Sequence, residues 1–102
     1  MIVVMTTVQN ADEAERLAEA IVRAKLAACV QVLPPMKSVY WWDDEVQKES
    51  EHLLLIKTLL KKYDELEAFI REHHSYDVPE MLAIDSDYVS ESYLTWLKSY
   101  IS

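Results

Sequence analysis

The chain contains no glycine. A typical protein is about 7% glycine, so its absence narrows what can fold here. Phosphate-cradling loops and the dinucleotide-binding fingerprint both require glycines at fixed positions, and both are excluded. Every tight turn must use residues that tolerate a left-handed backbone, chiefly Asn and Asp, or avoid that backbone altogether. Asp43-Asp44, between two extended runs, therefore reads as a hairpin turn.

Charge narrows the partners. The 18 Asp and Glu outnumber the 10 Lys and Arg, for a net charge of −8. Nucleic-acid binding draws on phosphate neutralisation by Lys and Arg, and the chain has no basic patch, so no nucleic-acid partner is expected. Cations are the electrostatically favoured ligands. The 102 residues are 51% hydrophobic, enough for one domain over residues 1–102 with a core that needs no staples. Cys29 is the only cysteine, which rules out an internal disulfide or a two-cysteine motif and suits a reducing compartment. No stretch reaches the ~20 apolar residues of a membrane span. The opening Met1-Ile2-Val3-Val4 lacks the basic start of a signal peptide. The expected location is cytoplasmic, with no membrane partner.

Periodicity supplies the elements. Ile2 to Thr7 is a β-branched run without alternation, expected as a central strand buried on both faces. Asn10 with Glu13 forms a capping-box pattern, and Ala14, Leu17, Ala18, Ile21 and Val22 follow at helical spacing, predicting a helix over 11–25. Ala27 to Leu33 is a second strand. Pro34-Pro35 then removes ladder donors, which marks an edge or a bulge. Met36 to Trp42 resumes the strand, with Tyr40 and Trp42 on one face and Trp41 on the other. Glu45 to Ser50 is polar and reads as a projecting arm. Leu53 to Ile56 continue it as a strand buried on both faces. Lys61 to His73 is a second helix striped by Tyr63, Leu66, Phe69 and Ile70. Met81 to Ile84 is the last strand, and Ser90 caps a final helix. The order βαββαβ plus a C-terminal helix is the ferredoxin-like α+β pattern. The central hairpin overreaches so small a sheet. Its exposed aromatics need a partner, so assembly through this arm is expected.

The chain resembles the CutA divalent-cation tolerance proteins over essentially its whole length. The matching pieces are Leu26-Ala27-Ala28-Cys29-Val30, Ser38-Val39-Tyr40-Trp41-Trp42, Glu51 with Leu55-Ile56-Lys57-Thr58, His74-Ser75-Tyr76-Asp77-Val78-Pro79-Glu80, and Tyr93-Leu94-Thr95-Trp96-Leu97. The resemblance implies a ferredoxin-like subunit in a homotrimer and an association with copper and other divalent cations. It also implies a likeness to PII-type signalling trimers, which hold effectors in clefts between subunits. Three positions depart from the family pattern. Asp44 stands where glycine is usual, Ser75 where proline is usual, and Thr6 where some members carry a cysteine implicated in copper binding.

His73 and His74 are the candidate metal ligands, with Asp77 and Glu80 as outer candidates, because imidazole suits Cu(II), Zn and Ni. The plainer reading is a helix C-terminus, where histidine meets the macrodipole favourably. Tyr40, Trp42, Glu51, Lys57 and Tyr76 are candidates to line an inter-subunit cleft, with Lys57 meeting an anion; the plainer reading is interface packing. Cys29 as a nucleophile with His74 as its base is disfavoured, because a thiol inside an apolar strand is inert. The expectation is a non-enzymatic homotrimer that binds Cu(II) or another divalent cation and uses no organic cofactor. The alternative is a PII-like small-molecule sensor.

Overall fold

The computed structural model describes residues 1–101. Strand β1 (Ile2–Val8) leads into helix α1 (Ala11–Arg23), whose first turn is closed by the Glu13 amide donating to Asn10 Oδ1 at 2.8 Å. The helix ends two residues short of the expected boundary. Lys25 adopts a left-handed φ of 59°, and the Lys25 and Leu26 amides donate back to the Val22 and Ile21 carbonyls at 3.0 and 3.2 Å. That paired closure usually recruits glycine at the left-handed position; here lysine holds it, and Leu26 turns into the core.

Strands β2 (Cys29–Val32), β3 (Met36–Trp42) and β4 (Glu45–Thr58) follow. A 3-10 turn (Leu60–Lys62) introduces α2 (Tyr63–His73), and β5 (Leu82–Asp85) and α3 (Glu91–Tyr100) complete the chain. The sheet runs β2-β4-β1-β5 with every pairing antiparallel. This is the ferredoxin-like order, with β2 and β3 as one interrupted strand along β4. The interruption is a bulge. Val32 faces Leu54 and Met36 faces Glu51, so three residues including Pro34-Pro35 oppose two on β4. The His52 ring caps the irregularity, its Nδ1–H donating to the Leu33 carbonyl at 2.9 Å. Beyond the bulge, β3 and the first half of β4 form the projecting hairpin, and the molecule extends 44 Å along its longest axis. Asp43 and Asp44 take φ of 55° and 59°, the doubly left-handed turn that suits strand twist.

Burial corrects one expectation. Neither β1 nor β4 is enclosed on both faces. Ile2, Val4, Thr6 and Val8 alternate with less buried neighbours, as do Leu54, Ile56 and Thr58. These positions face α1 and α2 and make the core with Leu17, Ile21, Leu66 and Ile70. The opposite face carries Val3, Met5, Leu53 and Leu55, all half-buried, with Leu82 and Ile84 exposed at the edge. Helix α3 reaches this second face at one end, where Lys57 Nζ lies 5.8 Å from the centre of the Tyr93 ring. The rest of that apolar face is uncovered within one chain.

Candidate functional site

The site grows from the far end of the uncovered face, where β1 finishes and α2 returns. His74 leaves α2 with extended backbone and turns inward, its side chain 0% exposed. Its Nε2–H donates to the Thr7 carbonyl at 2.7 Å, and its Nδ1 accepts the Tyr76 amide at 3.0 Å. The partners assign a neutral ring with the proton on Nε2, and both nitrogens are occupied. Ser75 donates through its hydroxyl and its amide to Glu13 Oε1 at 2.8 and 3.3 Å. That carboxylate, read from sequence as half of a capping box, instead pins the loop after α2.

The pinned loop delivers Tyr76 onto the sheet. Its hydroxyl donates to Glu51 Oε2 at 2.8 Å. Burial, then the bond to Glu51 and the charge of Glu51, push the Tyr76 phenol far above the ordinary tyrosine value, so it acts as a donor only. Glu51 is 6% exposed, and this bond from Tyr76 is the one the structure gives its carboxylate among the described residues. Tyr76 and Glu51 stand in the wall of a cleft of about 640 Å³ with Tyr40, Trp42, Asp77 and Glu80. Burial and, secondarily, Glu51 raise the Glu80 carboxyl above the ordinary range. A second, polar cavity of about 370 Å³ shares Tyr40 and Tyr76 with the first and adds Glu49.

Of the residues singled out from sequence, the cleft gathers Tyr40, Trp42, Glu51, Tyr76, Asp77 and Glu80. Lys57 is not among them. It lies on the same strand six residues from Glu51, a span of about 20 Å at strand rise, under Tyr93. The two histidines separate as well. His73 is exposed, stacked on Phe69 at 4.1 Å, with Nδ1–H donating to the Phe69 carbonyl at 2.8 Å. Among the described residues no three His, Cys, Asp or Glu side chains converge as for a metal ion. Thr6 is fully buried on the helix side, its hydroxyl unpartnered. Cys29 is half-exposed rather than enclosed. It pairs with Lys57 and so stands level with Val3, four residues along β1 from the Thr7 carbonyl that holds His74. Glu13 and Ser75 were missed as site-building residues. The spacing of Glu13 signalled a cap, and nothing local signalled a contact 62 positions away.

These features define a small ferredoxin-like α+β domain with an acidic, aromatic cleft at the open end of its sheet. The chain belongs to the CutA1 divalent ion tolerance protein family, whose pattern it matches over residues 2–100. It is 45% identical over 98 residues to protein CutA 1, chloroplastic, of rice, covering 96% of this chain and 55% of that one. It is 38% identical over 96 residues to the divalent-cation tolerance protein CutA of Thermus thermophilus, covering 94% and 93%. The chain thus spans about half the length of the plant relative and nearly all of the bacterial one. The crystal structure of CutA1 from Oryza sativa superposes with a TM-score of 0.96 at 44% identity, over 99% of this chain and 93% of that one.

Proposed function

We propose that the chain forms a homotrimer that serves divalent-cation tolerance without catalysis and takes Cu(II) or a similar divalent ion at the end of α2. The observation that carries the metal reading is the state of His73. Its Nδ1–H is tied to a backbone carbonyl, an arrangement that orients imidazole for a metal at Nε2. Asp77 and Glu80, on the loop that follows α2, are the proposed outer carboxylates. His74 supports the loop and is not free to ligate, since both its nitrogens are bonded. The trimer is supported by the uncovered apolar sheet face and by the hairpin, where Trp41 is 73% exposed; exposed apolar surface of this extent marks interfaces. A non-enzymatic role is supported by the separation of Cys29 from His74. No helix among the described residues is long and apolar enough to cross a membrane. A reducing compartment such as the cytoplasm suits the single cysteine, although the rice relative is named as chloroplastic.

The test is a Cu(II) titration by calorimetry on the wild type, His73→Ala and His74→Ala, with the assembly mass measured in the same buffer. Saturable binding by a three-chain species that is lost in His73→Ala is the expected result. Equal binding in wild type and His73→Ala rejects the site.

A second reading is favoured by the cleft. It opens on the same uncovered face as Leu53 and Leu55, so trimer formation would enclose it between subunits, as in a PII-like small-molecule sensor. A metabolite that raises the melting temperature of the wild type, and not of Trp42→Ala, would support that reading.

A further inference from the structure

Charge in the cleft is one-sided. Glu51, Asp77 and Glu80 line the larger cavity and Glu49 the smaller, and neither wall contains a lysine, arginine or histidine. Glu51 is the most buried of these carboxylates. It is 6% exposed, and no basic group pairs with it among the described residues. A carboxylate largely withdrawn from water, with the Tyr76 hydroxyl as its partner and no cation, favours a cationic neighbour. An anionic ligand would make the imbalance worse.

The surrounding wall selects among cations. Tyr40, Trp42 and Tyr76 present aromatic rings to the same space. Aromatic faces attract ammonium and guanidinium groups by their quadrupole, more so when water is excluded. They offer a small hydrated metal ion no lone pairs to replace its waters, and hard divalent ions take six or more oxygen ligands. The two cavities share Tyr40 and Tyr76, and each has at least one carboxylate in its wall, which suits an alkyl chain with a terminal amine better than a compact ion.

We propose that this cleft receives an alkylammonium group, held by Glu51 and Glu80 and boxed by Tyr40, Trp42 and Tyr76. The inference rests on the second reading above, that the cleft takes a ligand, and names the chemistry of that ligand. The ammonium has two sources, a free amine or a lysine from a second copy of the chain. The sheet itself points to the lysine. Lys57 is the one basic residue among the strand positions of the uncovered face, at the end opposite the cleft. A face with its cation at one end and its carboxylates at the other suits head-to-tail packing around a ring.

The probes are spermidine, ATP and magnesium chloride, titrated by calorimetry into wild type, Glu51→Gln, Lys57→Met and the double variant, with melting temperature and assembly mass followed for each. Glu51→Gln keeps an acceptor for the Tyr76 hydroxyl, so folding is preserved. Saturable spermidine binding to wild type, at least tenfold weaker in Glu51→Gln, establishes the site with a free amine. If a partner lysine fills it, spermidine binds Lys57→Met but not wild type. The melting shifts of Glu51→Gln and Lys57→Met are then strongly non-additive. Binding of ATP or magnesium that Glu51→Gln alters, with no spermidine binding to any variant, overturns the ammonium assignment and leaves the cleft reading standing. No binding of any probe, with additive shifts, overturns both.

Discussion

An imidazole with both nitrogens bonded inside a protein supports structure, whereas one with a single nitrogen bonded at the surface keeps a lone pair for other work. His74 and His73 divide along that line. His74→Ala would orphan the Thr7 carbonyl and the Tyr76 amide, so a loss of about 2–4 kcal/mol is expected in urea unfolding at fixed protein concentration. His73→Ala loses one exposed bond and a stacked ring, and less than about 1 kcal/mol is expected. Glu80 gives a pH signature. Burial and Glu51 raise its carboxyl in the folded chain, so the folded state holds that proton more tightly than the unfolded one. The group therefore favours folding most when protonated, below the ordinary glutamate value, and that contribution is lost as pH rises through the raised value. Glu80→Gln should then melt higher than wild type at neutral pH, with the gain vanishing towards about pH 4. A melting series across pH that shows the gain growing on acidification would contradict this origin.

At the scale of elements, the missing glycines show where the chain bends under strain. Lys25 closes α1, and Asp43 and Asp44 close the hairpin, all with left-handed backbone. A side chain in that region costs on the order of 1 kcal/mol. Lys25→Gly and Asp44→Gly are each expected to gain up to about 1 kcal/mol, reduced by the greater freedom that glycine gives the unfolded chain. The check is the thermal midpoint of each variant. The hairpin turn was legible because two aspartates, which tolerate left-handed backbone, sit between two extended runs. The early end of α1 was not, because lysine is a good helix former and only the tertiary burial of Leu26 favours turning there. The bulge at Pro34-Pro35 was half legible: proline said that pairing breaks, while the slip by one residue is visible only in the register with β4.

At the scale of the whole molecule, one face of the sheet is covered by α1 and α2, and the other is largely uncovered within one chain. Leu55 and Met5 are half-buried in the middle of that face, and Ile84 is 50% exposed at its edge. In the proposed trimer a buried charge there would have no partner, so Leu55→Asp is expected to yield single chains at micromolar concentration where the wild type gives three-chain species. Mass photometry or sedimentation reads this directly, and an unchanged mass would remove the face from the interface. The sheet's far end carries the cleft, so the same variant should also abolish any ligand binding that depends on enclosure between subunits.

The residues by themselves determined the element order and hence the ferredoxin-like topology, because alternation, helical spacing and proline placement are local properties that propagate into one antiparallel arrangement. They also determined the acidic character and the aromatic pairing of Tyr40 with Trp42, since positions two apart on a strand share a face. Only the tertiary structure decided which of the candidates meet. Glu13 and Ser75 lie 62 positions apart and hydrogen-bond. Adjacent His73 and His74 diverge, because the helix ends between them. Lys57 and Glu51, on one strand, stand at opposite ends of one face. Such meetings depend on how helices pack across the sheet and how a loop returns over it, distances that no local pattern in the chain encodes.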